Sequence, residues 1–209
     1  MLVYILCGLG FALFVPKGEF EIWLNKNYTI SLDYFFAYIT NLGDGNFSVL
    51  IIILLFFRKV YYGVLATISF IFSTIVVQCI KRFVFPGLLR PSAFFDKTLN
   101  LHYVPDIEIH HYNSFPSGHT SGAFTIFLIL AIVFRNKYLD VLFFVLAFLV
   151  GLSRVYLLQH FFIDTYFGAI IGVSTTLIVY YFTSSKANWL EKPKLNKSII
   201  KLFSRNEIA

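Results

Sequence analysis

Two histidines of this 209-residue chain stand at positions that suit acid–base and nucleophilic chemistry. His160 and Asp164 are four residues apart, so on a helix they would share a face. A carboxylate on one imidazole nitrogen fixes the tautomer and raises the basicity of the other nitrogen, which suits a histidine nucleophile. The second histidine, His119, is then free to protonate a leaving alkoxide. We therefore take His160, Asp164 and His119 as the candidate catalytic residues.

Residue types that bind anions lie in the same stretches of sequence. Ser117 and Gly118 belong to a Pro-Ser-Gly sequence typical of a helix start, where unpaired N–H groups and the positive dipole end favour an anion. Glycine at position 118 also lets a ligand approach the backbone closely. Arg90 and Arg154 can each hold two phosphate oxygens as charge develops on them. The combination predicts an oxyanion site with two imidazoles beside it, and this chemistry requires neither a metal ion nor another cofactor.

These residues form three clusters that resemble the signature of the type 2 phosphatidic acid phosphatase superfamily. That signature is Lys-x6-Arg-Pro, then Pro-Ser-Gly-His, then Ser-Arg-x5-His-x3-Asp. The second motif is present at residues 116–119, and the third at residues 153–164 with unaltered spacing. The resemblance is carried by residues 81–164, and outside them it is one of topology.

The resemblance implies a six-helix membrane core and a role for each motif residue. His160 would be the nucleophile that forms a phosphohistidine, Asp164 its orienting partner, and His119 the acid for the leaving group. The residues that would bind phosphate are Lys81, Arg90, Ser117, Gly118 and Arg154.

The first motif departs from the family pattern. Eight residues separate Lys81 from Arg90 instead of six, and seven separate Arg82 from Arg90. The excess falls around residues 86–87, a Pro-Gly pair that favours a turn able to absorb it. We take Lys81 as the phosphate ligand of this motif, with Arg82 as the alternative.

The composition is that of an integral membrane protein. Apolar residues make up 58% of the chain and charged residues 13%, against about 45–50% and about 25% in an average soluble protein. A soluble globule of this size would need far more charge on its surface. The apolar content excludes a disordered chain, and two cysteines are too few for a disulfide scaffold.

Six apolar stretches predict an all-α bundle of six membrane spans. They are residues 1–15, 46–57, 61–80, 120–134, 138–152 and 161–182. The third and sixth reach the roughly 20 residues that one crossing needs, and the others reach it only with semi-polar flanks. The first stretch lacks the basic start and the small-residue cleavage site of a signal peptide, so we interpret it as a retained helix.

Basic residues fix the predicted orientation. With both termini in the cytoplasm, ten of the 17 Lys and Arg residues lie inside, as the positive-inside rule favours. All three motif clusters then face the periplasm or exterior of what we expect to be a bacterial inner membrane. The net charge of +6 is thereby explained without a nucleic-acid partner.

Polar segments flank these spans. Residues 17–40 mix polar and aromatic residues, which predicts interfacial helices between the first two spans. We divide the chain into a membrane domain, residues 1–182, and a basic cytoplasmic tail, residues 183–209. The tail is either an amphipathic helix near residues 194–203 or a disordered basic segment.

Three histidines outside the motifs could suggest a metal site. His102, His110 and His111 have no Asp, Glu or Cys at a defensible ligand spacing, so we interpret them as loop histidines. The site is therefore predicted to be metal-independent.

The predicted activity is that of a phosphoric monoester hydrolase acting on a membrane lipid at the outer face of the bilayer. Residues 92–115 could form a lid or head-group platform that suits a bulky head group, which favours lipid A phosphate. Undecaprenyl pyrophosphate is the next candidate, so pyrophosphatase activity is an open alternative, and phosphatidate or phosphatidylglycerophosphate also stay open. A different class, a non-catalytic protein that binds or transports lipid phosphates, would need the cations but not His119, His160 and Asp164.

Overall fold

The apolar stretches of the sequence all become helices. The computed structural model describes residues 2–96, 98–189 and 192–203. Its α-helices are α1 (Leu2–Phe14), α2 (Glu19–Lys26), α3 (Ile30–Ile39), α4 (Gly45–Arg58), α5 (Val60–Cys79), α6 (Pro91–Phe94), α7 (Gly118–Phe134), α8 (Lys137–Tyr156), α9 (Phe162–Tyr181) and α10 (Ile199–Phe203). A 3-10 turn covers Thr40–Gly43, and π-helical turns cover Ile80–Val84 and Phe182–Lys186. Within these described ranges there is no β-strand, so the all-α prediction is confirmed for them.

Each predicted span corresponds to one helix, but the helices differ in their ability to cross a bilayer. Among the described residues, three helices are long and apolar enough to cross a bilayer, at residues 60–84, 137–156 and 162–185. The pair 30–43 and 45–58 meets the same criterion only jointly, and it is bent by 52°. Helix α7 is apolar but has 17 residues. The count of six spans stays a prediction.

Helix α7 lies at the centre of the bundle, packed against α5, α8 and α9. Two glycines of α9 allow a close approach of α9 to α7. A Cβ atom added at Gly168 would lie 2.5 Å from the carbonyl oxygen of Ser117, and one at Gly172 would clash with the carbonyl oxygen of Ser121. Small residues commonly permit such contacts between membrane helices. This packing brings the start of α7 next to the start of α9.

Helices α2 and α3 lie against the same end of the bundle through buried polar side chains. Glu21 accepts a hydrogen bond from the backbone N–H of Phe162, at 2.7 Å. Asp33 accepts one from the hydroxyl of Tyr156, at 2.6 Å, and lies 2.8 Å from Nε2 of His102. Aromatic side chains on the opposite faces are exposed, as an interfacial position requires. The interfacial location itself stays a prediction.

The described part of the tail returns to the opposite end of the bundle. The N–H groups of Val60 and Tyr61, which open α5, donate to the carbonyl oxygens of Lys197 and Leu195, each at 2.9 Å. These bonds satisfy helix-start donors that have no partner within the helix. Helix α10 covers only residues 199–203 of the predicted amphipathic helix, and residues 204–209 lie outside the described part of the chain. The boundary between the two predicted domains stays a prediction.

Candidate active site

A cavity of about 270 Å³ lies where α5, α7 and α8 meet the loops before α6 and α9. Six of the predicted site residues line it: Lys81, Arg90, Gly118, His119, Arg154 and His160. Three others, Arg82, Ser117 and Asp164, are not among its lining residues. Predicted site residues that are up to 79 positions apart in the sequence thus line one cavity.

The third motif is folded differently from the helical arrangement expected for it. Helix α9 begins at Phe162, so His160 lies in the preceding loop, not on a helix face shared with Asp164. The premise of a shared helix face was therefore wrong. The two side chains still meet because the loop turns back after α8. The N–H groups of Gln159 and His160 both donate to the carbonyl oxygen of Arg154, at 2.9 and 3.0 Å, and these bonds form the turn.

Asp164 lies beside the imidazole of His160 and is held there by other groups. Its Oδ2 is 3.4 Å from Nδ1 of His160, an approach that does not have hydrogen-bond geometry. The same oxygen accepts hydrogen bonds from the hydroxyl of Ser114, at 2.5 Å, and from the N–H of Phe161, at 3.0 Å. The carboxylate thus faces Nδ1, which leaves Nε2 of His160 as the nitrogen available for attack.

The second motif is joined to the third through the backbone. The N–H of Ser117 donates to the carbonyl oxygen of Asp164, at 2.9 Å. The hydroxyl of Ser117 caps α7 by accepting from the N–H and the hydroxyl of Thr120, at 3.4 and 3.0 Å. Gly118, which follows, does line the cavity. Ser117 therefore shapes the helix start, and its direct contact with phosphate stays a prediction.

The two arginines are held by neutral acceptors. Arg90 donates through Nε to the carbonyl oxygen of Tyr112, at 2.9 Å, and through Nη1 to both oxygens of Gln159, at 3.2 Å each. Arg154 donates through Nη1 to the hydroxyl of Thr40, at 2.9 Å, and through Nη2 to Oε1 of Gln159, at 3.4 Å. No carboxylate pairs with either guanidinium among the described residues. The cavity therefore keeps the positive charge that an anion would need.

Burial and the surrounding positive charge both affect the pKa of His160. Burial, and after it the cations Arg90, Arg154 and Lys81, lower the pKa of His160 well below the ordinary histidine value. Burial also lowers the pKa of Arg90, although Asp164 opposes that shift. His160 is consequently neutral near pH 7, as a nucleophile must be.

The first motif contributes one of its two neighbouring cations to the cavity. Lys81 is half-buried in the π-helical turn and lines the cavity, whereas Arg82 is exposed and does not line it. The π-turn and Gly87, whose φ of 72° lies in the left-handed region, take up chain length between Lys81 and Arg90. Lys81 as the phosphate ligand stays a prediction that this position favours.

The remaining histidines have separate environments. His110 lines the cavity, and its Nδ1 is 3.7 Å from Oε1 of Glu108. His111 and Ser92 approach to 3.2 Å, and His102 pairs with Asp33. In the part of the chain that the structure describes, no three His, Cys, Asp or Glu side chains form a group that could hold a metal ion. Metal independence stays a prediction.

Four residues that support the site through hydrogen bonds were not predicted from the sequence: Ser114, Gln159, Thr40 and Glu21. Ser114 and Gln159 adjoin predicted motifs, so their positions offered a weak signal. Thr40 and Glu21 lie more than 100 residues from the groups they contact, and nothing in their sequence context marked them.

Comparison with known proteins gives concordant matches. A family model described as the PAP2 superfamily matches residues 60–187. Phosphatidylglycerophosphatase B of Bacillus subtilis (strain 168) is 26% identical over 174 residues, covering 74% of this chain and 76% of that protein. The crystal structure of Aquifex aeolicus LpxE superposes with a TM-score of 0.70 and 28% identity, over 79% of this chain and 95% of that one. A PAP2-type phosphatidylglycerolphosphate phosphatase from Bacillus subtilis shares the fold, with a TM-score of 0.65 and 24% identity over 88% and 95% of the two chains.

Proposed function

The chain belongs to the PAP2 superfamily, the family whose signature its three clusters resemble, and on this premise we propose that it is a membrane lipid phosphatase. One observation carries the proposal. His160, His119 and three cations, Lys81, Arg90 and Arg154, line a single cavity. A protein that only binds phosphate would need the cations, but not a neutral imidazole beside a carboxylate and a second imidazole in the same cavity.

The chemistry is phosphoryl transfer in two steps. Nε2 of His160 attacks phosphorus, the bond from phosphorus to the lipid oxygen breaks, and His119 gives its proton to the departing oxygen. A water molecule then attacks the phosphohistidine, its proton goes to His119, and the phosphorus–nitrogen bond breaks to release inorganic phosphate. Arg90, Arg154 and Lys81 stabilise the equatorial oxygens as charge develops. No step requires a metal ion.

Lipid A phosphate is our first substrate candidate. The segment 92–115 is attached to the phosphate site, because Tyr112 accepts from Arg90 and His110 lines the cavity. A segment over the site suits a bulky head group. Undecaprenyl pyrophosphate and phosphatidate stay alternatives, the former requiring pyrophosphatase activity.

Phosphatidylglycerophosphate is a second candidate with its own support. It rests on the sequence similarity to phosphatidylglycerophosphatase B of Bacillus subtilis, which extends over three quarters of both chains.

The proposed setting is the bacterial inner membrane, crossed by six spans. Both termini lie in the cytoplasm, and the active site faces the periplasm or exterior, where the cavity receives its substrate from the bilayer. The concentration of basic residues on the inner side supports this orientation.

The test uses purified protein in lipid vesicles with a panel of lipid phosphates. Wild-type protein is expected to release inorganic phosphate from at least one of them, with or without a chelator. His160→Ala is expected to lose this activity and the acid-labile radiolabel trapped on the protein from a ³²P-labelled substrate. Binding without release by the wild-type protein would support the non-catalytic class. Release unaffected by His160→Ala would eliminate the nucleophile, and release abolished by the chelator would eliminate the metal-free mechanism.

A further inference from the structure

The cavity extends beyond the catalytic groups, along α5 toward the amino end of that helix. Thr74 and Gln78 of α5 line it together with Lys81, Ser73 and, from α7, Ser121. A helix rises about 1.5 Å per residue, so Thr74 lies about 10 Å from Lys81 along the axis and Gln78 about 4 Å. The cavity therefore continues along α5 beyond Lys81, and the polar side chains that line this part are uncharged.

The side chains of Thr74 and Gln78 have unused hydrogen-bonding capacity. Neither makes a hydrogen bond to another described residue, whereas the hydroxyls of Ser73 and Ser121 are bonded to each other at 2.5 Å. Both Thr74 and Gln78 are exposed, on a helix that is otherwise apolar enough to cross a membrane. Polar groups on such helices are costly unless they meet a polar partner or a water-filled cavity. Their free donors and acceptors are thus available to a ligand.

We propose that Thr74 and Gln78 form a subsite for the hydroxyl-bearing part of the leaving alcohol. This inference rests on the proposed function and narrows its substrate to lipid phosphate monoesters whose phosphate is carried by a sugar or a glycerol unit. Hydroxyl and amide side chains match the hydroxyls of such units in both donor and acceptor roles.

The same lining disfavours a polyprenyl diphosphate. Among the described residues that line the cavity, the Lys and Arg side chains are Lys81, Arg90 and Arg154, which the transferred phosphate itself engages. A second phosphate would therefore meet no further Lys or Arg side chain among them. An isoprenyl chain would leave the polar groups of Thr74 and Gln78 unpaired, which costs binding.

The test compares Thr74→Val and Gln78→Leu, singly and together, on four substrates. These are a lipid A phosphate, phosphatidylglycerophosphate, undecaprenyl diphosphate and the small soluble ester para-nitrophenyl phosphate. Loss of one hydrogen bond is expected to lower kcat/KM on the hydroxylated lipids about tenfold, with little change on the other two substrates. Ile75→Val is the matched control, since Ile75 lies on the same helix, is exposed and does not line the cavity.

The outcomes separate the subsite from the proposed function. A larger loss on the lipid A phosphate or on phosphatidylglycerophosphate identifies the sugar or the glycerol unit as the natural leaving group. No loss, or an equal loss on all four substrates, overturns the subsite while leaving the phosphatase activity in place. A wild-type protein inactive on every lipid phosphate overturns the proposed function and the subsite with it.

A second observation, independent of the first, concerns Gln159. Its side chain is buried, with 2% exposed, between the two arginines of the site. Its Oε1 accepts from Arg90 and from Arg154, and its Nε2 donates to the carbonyl oxygen of Glu108, at 2.9 Å. One amide oxygen thus holds two guanidinium groups that repel each other.

We infer that Gln159 is a positioning residue for the phosphate-binding arginines. Because an amide is neutral, it fixes both guanidiniums without cancelling the charge that attracts phosphate. Nε of Arg154 is buried and has no hydrogen-bond partner among the described residues, so the guanidinium keeps an unused donor. A carboxylate in the same place would pair with both arginines and compete with the substrate.

The matched substitutions Gln159→Glu and Gln159→Met test this inference. Both preserve the length of the side chain, but one adds a charge and the other removes the acceptor. Gln159→Glu is expected to raise KM and the inhibition constant of inorganic phosphate at least tenfold, with a smaller change in kcat. Gln159→Met is expected to weaken phosphate inhibition less. Unchanged phosphate inhibition in both variants, with a loss of thermal stability instead, would show that Gln159 is only structural.

Discussion

Two walls of the cavity are built in opposite ways. The loop wall consists of Arg90 and His160, with Gln159 and other groups behind them, and the α5 wall consists of Thr74 and Gln78 with Lys81, which follows α5. On the loop wall, the side chains of Arg90 and Gln159 are hydrogen-bonded and buried. On the α5 wall, none of the three side chains has a hydrogen bond to another described residue. The loop wall is thus tied by hydrogen bonds through Arg90 and Gln159, whereas the three side chains of the α5 wall are not committed to partners among the described residues.

The difference follows from what each wall has to do. Charge develops on the transferred phosphoryl group, and groups that stabilise it are most effective when they need no reorganisation. The lipid parts of substrates differ in shape, and side chains that are not committed to partners can adapt to them. A hydrogen-bonded loop wall beside an α5 wall of uncommitted side chains is therefore the arrangement expected of a lipid phosphatase.

Among the groups behind the loop wall, substitution of Asp164 is expected to have the largest effect on kcat. Asp164→Asn removes the negative charge beside His160 and is expected to lower kcat about 100-fold or more. Ser114→Ala keeps the carboxylate but removes one hydrogen bond to it, so the expected loss is about tenfold. Steady-state kinetics of phosphate release measure both. Equal losses in the two variants would show that position, not charge, is what Asp164 contributes.

On the α5 wall, Lys81→Met is expected to act mainly on binding. Loss of one cation should raise KM about tenfold and change kcat less, because Lys81 has no hydrogen bond to another described residue that would fix it. Arg82→Met is the matched control, since Arg82 is adjacent and exposed outside the cavity. A larger effect of Arg82→Met than of Lys81→Met would assign the first-motif ligand to Arg82.

The burial of His160, together with the cations around it, predicts a pH dependence of stability. His160 takes up a proton near pH 6.5 in the unfolded chain, but its lowered pKa keeps it neutral to more acidic pH in the folded protein. The folded state is therefore fully favoured above about pH 6.5 and loses stability below it, by at most about 1.4 kcal/mol per pH unit. Thermal unfolding of the wild type and of His160→Gln, followed from about pH 8 to about pH 5, should show the wild type losing more. Parallel curves would contradict the lowered pKa.

The smallest expected effect is a loss of thermal stability on substitution of Glu21, which lies behind the loop wall. Glu21 accepts from the N–H of Phe162 at the start of α9 and is buried, with 3% exposed. Glu21→Leu leaves that donor unpaired and is expected to cost about 1 kcal/mol, or about 2–4 °C in Tm. Glu19→Leu is the control, since Glu19 is exposed on the same helix. A Tm unchanged by Glu21→Leu would show that the contact does not stabilise α9.

Many of the helices and site residues could be predicted from the sequence, because apolar runs and motifs are local patterns. Apolar runs predicted the helices that became α1, α4, α5, α7, α8 and α9. The motifs predicted both histidines and both arginines, which line one cavity, although the spacing before Arg90 departs from the family pattern. The sequence also identified the family, which the match over residues 60–187 shows. It was wrong about the helical face shared by His160 and Asp164, because the loop that precedes α9 is turned by backbone hydrogen bonds to Arg154.

By itself, then, the sequence determined which chemical groups are present, which stretches are apolar enough to be helices and which family the chain belongs to. Only the tertiary structure decided how the groups are held. Thr40 fixes Arg154 across 114 residues, Ser114 fixes Asp164 across 50, and the contrast between the two walls exists only once α5 faces the loops. The physical reason is that a hydrogen bond depends on distance and direction in space, and ordinary Ser, Thr and Gln side chains show nothing of either in a sequence.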